Sequence, residues 1–334
     1  MDQDIRPIDL FRARARLRGH VLHTPLVPSP SLSRVAGSPV HLKLECRQTT
    51  GSFKLRGATN ALLKLDDAAR ARGVAGVSTG NHGRALAYAA KRLGTRAVIC
   101  MSRLVPANKV EAIRALGADV RIVGASQDEA DLEVARLVRE EGLTLVPPFE
   151  HPDVIAGQGT VGLELLDDLP DVDTVLVPLS GGGLLAGVAL ALKTASPQIR
   201  VIGVTMERGC AMHTSLAAGR PVQVEEVETL ADSLGGGIGL DNRYTFRMVQ
   251  SLVDDTVLVS EDEIADALRH AYREEQVVVE GAGAVGIAAI LAGRVRATGT
   301  TAMILSGANI DMDLHRRLVC AGERSDDRPA GSAG

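Results

Sequence analysis

Between residues 73 and 146 the chain alternates short apolar runs with longer segments in which apolar residues recur at helical spacing. The short runs, 74–77, 96–100, 119–123 and 143–146, predict strands. The segments between them, 81–93, 106–116 and 128–141, predict helices, and Pro106 suits a first helical turn. A second set follows, with strands over 174–177, 200–204, 256–259 and 301–305 and helices over 159–166, 184–193, 261–275 and 284–291. Upstream, 5–19 reads as a helix with arginines on its outer face, 40–45 alternates as a strand, and 55–64 is helical. Strand and helix in alternation predict an α/β protein with mainly parallel sheets covered by helices. Pro147-Pro148 is a natural seam between two domains. Residues 219–239 read as a glycine-rich loop, and the polar tail 323–334, rich in Gly, Pro and Asp, is expected to be disordered.

Composition narrows the function classes. A chain of 334 residues is long enough for two domains and a sizeable core. A net charge of -4 gives no general attraction to nucleic acid or to an acidic membrane. With four Phe, three Tyr and no Trp, a base-stacking platform is not expected. Cys46, Cys100, Cys210 and Cys320 are far apart, which argues against a disulfide framework or a zinc site and fits the cytoplasm. Met1-Asp2-Gln3-Asp4 leads into no apolar run, so no signal peptide is expected, and no stretch has the length of a membrane span.

The stretch Thr50-Gly51-Ser52-Phe53-Lys54-Leu55-Arg56-Gly57 sets a lysine among small and apolar neighbours. A lysine held in an apolar pocket loses its proton more easily and becomes an amine nucleophile, as a Schiff base with an aldehyde cofactor requires. An ordinary lysine at a helix start is the plain alternative. Four further stretches follow predicted strands or apolar runs, at the sheet edge where ligands bind in parallel α/β folds. Ser78-Thr79-Gly80-Asn81-His82-Gly83 could hold an anion on backbone amides or simply cap a helix. Ser180-Gly181-Gly182-Gly183-Leu184 suits a phosphate nest; no Gly-Lys-Ser/Thr follows, so it is not a nucleotide P-loop. Gly281-Ala282-Gly283-Ala284-Val285-Gly286 is a literal G-x-G-x-x-G, but no Asp or Glu lies between Gly286 and Asn309, so close helix packing explains it better than a dinucleotide. Leu305-Ser306-Gly307-Ala308-Asn309 offers a serine hydroxyl, or merely a turn.

Taken together, these pieces resemble the fold-type II pyridoxal-phosphate enzymes, in the threonine/serine dehydratase branch. Lys43-Leu44-Glu45, 48–54, 78–82, Pro148-Phe149-Glu150-His151-Pro152, Gly157-Gln158-Gly159-Thr160 and 306–311 stand in that family's order, and the resemblance runs from about His23 to Leu318. It implies two domains, each a mainly parallel sheet covered by helices: a large cofactor domain from 1–50 and 151–322 and a small domain from 51–150 that carries the substrate loop. It implies that Lys54 carries pyridoxal 5'-phosphate and acts with Thr79 in catalysis. Phe53 would pack beside the ring, Asn81 would meet the ring hydroxyl and Ser306 the ring nitrogen. Ser180, Gly181, Gly182, Gly183 and Leu184 would hold the phosphate, and Ser78, Thr79, Gly80 and His82 the substrate carboxylate. The expected reaction removes water and then ammonia from a β-hydroxy amino acid such as L-threonine or L-serine. The partner implied is a small amino acid, and the assembly a homodimer or higher homo-oligomer.

Departures from the family pattern refine this. Ser180 replaces the first of four phosphate-loop glycines, and its hydroxyl could add a contact. Thr79 stands where racemising relatives place serine, which disfavours an amino-acid racemase. Thr205 and Ala211 occupy the divalent-cation positions of some relatives, so no metal site is expected. The chain stops at the catalytic core, so feedback by isoleucine is not expected. The segment 231–242 is similar to the hydroxyectoine-utilisation dehydratases, which leaves a hydroxylated osmolyte or its derivative as the alternative substrate. An NAD-linked oxidoreductase using Gly281–Gly286 and a catalytically silent binding protein are the remaining alternatives.

Overall fold

The computed structural model describes residues 4–78, 80–105, 107–125 and 127–320. Thr79 and the tail 323–334, with the expectations placed on them, lie outside the described residues. Ten strands are described: β1 (Leu26–Pro28), β2 (Val40–Lys43), β3 (Val74–Val77), β4 (Ala97–Met101), β5 (Asp119–Ile122), β6 (Thr144–Leu145), β7 (Thr174–Pro178), β8 (Arg200–Met206), β9 (Asp255–Val259) and β10 (Thr301–Ile304). They form a six-stranded sheet in the order β1-β2-β10-β7-β8-β9 and a four-stranded sheet in the order β5-β4-β3-β6. All pairings are parallel except β1 with β2, so the α/β expectation is borne out.

Strand periodicity divides the core of the larger sheet into two faces. Leu176, Ile202, Val204 and Met303 pack on one side with the helices Glu261–Arg273 and Gly281–Leu291. Val175, Val177, Val201, Ala302 and Ile304 point to the other, under the helices Pro152–Asp168 and Gly183–Ala195. The smaller sheet is divided in the same way, Val74, Ile99 and Met101 on one face and Ala75, Val98 and Cys100 on the other. Every residue of β3, β4, β7 and β10 is buried, which is why these strands read as continuous apolar runs.

Element type follows the sequence pattern closely; helix boundaries at glycines do not. The helix expected over 159–166 spans Pro152–Asp168, because Pro152 opens it and the His151 ring accepts from the Asp153 N–H. Glycine inside a helix is intrinsically unfavourable, and here close backbone contacts offset it. A Cβ on Gly157 would lie 2.7 Å from the Cα of Gly57, and one on Gly187 would lie 2.6 Å from the backbone N of Gly159. The helices Lys54–Leu63, Pro152–Asp168 and Gly183–Ala195 therefore pack backbone to backbone. Their contact fixes Lys54 relative to the glycine-rich turn at 181–183. Five helices went unread in the pattern: Pro30–Ala36, Asp67–Arg72, Ala211–Ala218, Thr245–Leu252 and Met312–Cys320. All are nine residues or shorter, too brief for a clear period, and two are opened by Ser29 or Asp66 side-chain caps. Among the described residues no helix is long and apolar enough to cross a membrane.

Candidate active site

The C-terminal ends of β3, β6, β7 and β10 are followed by segments that line one cavity of about 290 Å³. It holds every described residue that the sequence singled out: Phe53, Lys54, Ser78, Gly80, Asn81, His82, Ser180, Gly181, Gly182, Gly183, Leu184 and Ser306. In both sheets the chain reverses direction of strand addition near this edge, the usual place for a ligand crevice.

Lys54 opens the helix Lys54–Leu63. The strap before it is tied to the end of β10: Phe53 N–H donates to the Ser306 carbonyl at 3.1 Å, and Ala308 N–H to the Gly51 carbonyl at 2.9 Å. Gly51 takes φ +76, and a Cβ there would lie 2.7 Å from the Asn309 side chain. The ammonium of Lys54 donates to the Pro148 carbonyl at 2.8 Å. Burial lowers its pKa to about 8, and the charge of Glu280 opposes that shift. An amine in this state is partly neutral near physiological pH and is poised as a nucleophile or base.

Ser78 caps the helix start, and Ser78, Gly80, Asn81 and His82 line the cavity. Ser78 Oγ accepts from the Gly83 N–H at 2.9 Å and the Gly80 N–H at 3.3 Å. The Asn81 and His82 amides begin the helix Asn81–Arg92 and, as at any helix start, have no intrahelical acceptor. The His82 ring is buried and its Nε2 meets the Val146 carbonyl at 2.8 Å, so Nε2 carries the proton. Burial first, and then the Lys54 charge, lowers its pKa to about 3, so the ring is neutral. Its buried Nδ1 has no partner among the described residues.

The glycine turn is required by its surroundings. A Cβ on Gly181 would lie 2.4 Å from the Phe149 ring, and one on Gly183 3.0 Å from Phe149. Gly182 takes φ +87 and caps the helix Gly183–Ala195. The left-handed backbone at Gly182 needs glycine, and the helix start that follows supplies free amides for an anion.

Glu280 and Asn309 also belong to the site and were not singled out as site residues in the sequence. Asn81 Nδ2 donates to Glu280 Oε1 at 2.6 Å, and Asn309 Nδ2 donates to Asn81 Oδ1 at 2.5 Å and to the Thr50 carbonyl at 2.9 Å. An acid preceding a helix reads as an ordinary N-terminal acid, so only the fold reveals Glu280 as buried. The G-x-G-x-x-G beyond it is a packing motif: a Cβ on Gly281 would lie 2.0 Å from the Leu230 carbonyl and one on Gly283 2.7 Å from that of Gly307. No strand precedes it, so the strand–turn–helix context of a dinucleotide site is missing among the described residues.

Burial, reinforced by the charge of Asp232, pushes the Glu280 pKa from 4.5 up to about 7, while the Asn81 and Asn309 hydrogen bonds and Lys109 oppose it. With the folded value above the unfolded one, the protein binds more protons when folded, and stability falls as pH rises from about 4.5 through about 7. Glu280→Gln is expected to raise the unfolding free energy of the apoprotein at pH 8 by something on the order of 1 kcal/mol. Near pH 5, where the native carboxyl is itself protonated, the difference should close. Urea unfolding at the two pH values tests this; a variant no more stable than the native protein at pH 8 would contradict it.

A family model described as "Pyridoxal-phosphate dependent enzyme" matches residues 17–307. Over 309 residues the chain is 62% identical to a protein of Sinorhizobium fredii described as "Putative threonine dehydratase", covering 92% of this chain and 93% of that one. It is 43% identical over 315 residues to an L-threonine ammonia-lyase of Thermotoga maritima, covering 94% and 78%. Its fold superposes on maize serine racemase with a TM-score of 0.89 at 36% identity, covering 95% and 97%. The cavity's own residues fit such a cofactor. It contains an amine of depressed pKa, a turn of glycines that a Cβ would fill, and helix-start amides suited to a phosphate.

Proposed function

The chain belongs to the pyridoxal-phosphate-dependent enzyme family, and on that premise we propose that it is a dehydratase of β-hydroxy amino acids. L-Threonine would give 2-oxobutanoate and ammonia, and L-serine pyruvate and ammonia. The observation that carries this reading is the Lys54 amine, held by the Pro148 carbonyl inside the cavity with its pKa lowered to about 8.

When bound, pyridoxal phosphate supplies the electron sink for the charge that develops at Cα. Gly181, Gly182, Gly183 and Leu184 would hold its phosphate on the turn and helix-start amides, with Ser180 adding a hydroxyl. Phe53 would flank the ring, the Ser306 hydroxyl would face the ring nitrogen, and Asn81, itself held by Glu280 and Asn309, would meet the ring hydroxyl. The amides of Asn81 and His82 would orient the substrate carboxylate, with Ser78 and Gly80 beside them. Neutral Lys54 would take the Cα proton as general base and would return it to the β-hydroxyl, which would leave as water. The neutral His82 ring, held by Val146, adds no charge to compete with that proton transfer.

The proposal includes residence in the cytoplasm and a homodimer or higher homo-oligomer. A second substrate class, hydroxyectoine or its derivative, is favoured by one observation: residues 232–237 of the segment similar to those dehydratases line the same cavity.

The test is keto-acid and ammonia release from protein loaded with pyridoxal phosphate and offered L-threonine, L-serine and hydroxyectoine. Rapid release from the first two is expected. Release confined to the osmolyte would transfer the reading to the second class. No release from any of them, in a protein that binds the cofactor, would overturn the dehydratase reading.

A further inference from the structure

Five charged side chains line the described part of the cavity: Lys54, Arg84, Lys109, Asp232 and Glu280. Four have partners. Lys109 pairs with Asp232 at 3.2 Å, Glu280 accepts from Asn81, and Lys54 donates to Pro148. The Arg84 side chain has no hydrogen bond or ion pair with any described residue, and its Nε is sealed from solvent without an acceptor.

Arg84 stands three residues after Asn81 on the helix Asn81–Arg92. That spacing puts the two residues on one helix face, and both line the cavity. It is only partly buried and keeps its charge; Glu280 is the carboxyl whose field it feels most. A planar, charged fork facing an enclosed space, with no carboxylate bound to it, is arranged for a carboxylate that arrives with the ligand.

Resting on the dehydratase reading, we propose that Arg84 binds a second carboxylate of the substrate, so that the preferred substrates are β-hydroxy-α-amino dicarboxylates of the 3-hydroxyaspartate type. The α-carboxylate goes to the amides at the start of the Asn81–Arg92 helix, and the carboxylate on Cβ goes to the guanidinium. The chemistry is unchanged: 3-hydroxyaspartate loses its β-hydroxyl as water, water then replaces the amine, and the net products are oxaloacetate and ammonia. Serine and threonine, which lack the distal carboxylate, leave the guanidinium unpaired, and a site that offers such a donor discriminates against them.

The experiment compares kcat/KM for L-threo-3-hydroxyaspartate and L-serine in the native enzyme, Arg84→Gln and Arg84→Lys, all loaded with pyridoxal phosphate. Calorimetric binding of L-aspartate and L-alanine, which have no β-hydroxyl to lose, is measured on the same proteins. The native enzyme is expected to favour the dicarboxylate by about 10- to 100-fold, the scale of a charge-assisted hydrogen bond. Arg84→Gln should erase that ratio mainly through KM, Arg84→Lys should restore part of it, and the preference for L-aspartate over L-alanine should follow the same order. Equal losses for both substrates in Arg84→Gln would assign Arg84 to the α-carboxylate or to the scaffold and overturn the proposal, as would a native enzyme with no preference. The binding arm separates the two readings: a preference for L-aspartate that depends on Arg84, without ammonia from any β-hydroxy amino acid, would uphold the second-carboxylate site and remove the dehydratase.

Discussion

Lys54→Ala is expected to lower ammonia release from L-threonine and L-serine by at least ~10³-fold, because it removes both the cofactor's amine and the proposed general base. The stability cost should be small. The side chain makes one hydrogen bond, to the Pro148 carbonyl, and burial already disfavours its charged form. Lys54→Arg separates the two properties of the residue: it keeps the positive charge but cannot give up a proton near neutral pH, and it should be as inactive as Lys54→Ala. A second readout follows from the lowered pKa. The reactive form is the neutral amine, so cofactor capture by the apoprotein should accelerate as pH rises toward about 8 and slow below it. Stopped-flow absorbance records capture, and a coupled assay records ammonia. A Lys54→Ala enzyme with near-native turnover would remove Lys54 from the mechanism.

The largest effect on stability is expected two residues further on. Arg56 is 1% exposed and bonds two carboxylates at once. Its Nε and Nη2 reach the Glu45 oxygens at 2.8 and 2.7 Å, and its Nη1 and Nη2 reach those of Glu164 at 2.6 and 2.8 Å. Lys43 joins the cluster at 2.8 Å from Glu164, and Thr24 donates to Glu45. Burial alone would lower the Arg56 pKa, but Glu45 and Glu164 more than offset it and hold the guanidinium above its ordinary value. Arg56→Met takes the guanidinium from Glu45 and leaves Glu164 with Lys43 alone in a dry site, and should cost about 3–5 kcal/mol in urea unfolding. Converting both carboxylates as well, in Arg56→Met with Glu45→Gln and Glu164→Gln, should recover part of the loss, since Lys43 then keeps Asp168 at 3.3 Å as its carboxylate partner. A loss under about 1 kcal/mol in the single variant would mean that water reaches the cluster. Acid should act in the same direction. Arg56 and Lys43 hold Glu164 below its ordinary pKa against the opposing effect of burial, so its contribution is present above the unfolded value and lost as pH falls through the folded one. The cluster also bears on catalysis, because Arg56 anchors the helix whose first residue is Lys54. Arg56→Met should therefore lose turnover even under conditions where it stays folded.

Much of this protein is legible along the chain because its signals are local. Strand and helix types follow from periodicity, since β3, β4, β7 and β10 are buried on both faces and carry unbroken apolar runs. The candidate site is legible for a related reason: its pieces are short loops at strand ends, where glycine, serine and asparagine mark turns and helix starts. Lys54, Asn81, the 180–184 turn and Ser306 could each be singled out from their own neighbours. What the pattern left open is non-local. Nothing adjacent to Glu280 distinguishes a buried acid bonded to Asn81, 199 positions away, from an exposed helix cap. Nothing around Arg84 announces a guanidinium that faces the cavity without a partner among the described residues, and the backbones that press against the glycines of 157–162 and 281–286 come from distant parts of the chain. By itself, then, the sequence determined the α/β architecture, the family and which loops meet, because backbone propensity and hydrophobic period are written in neighbouring residues. Only the tertiary structure decided which charges lose their water and which of them lack a partner, because desolvation and pairing depend on atoms that the chain brings together from far apart.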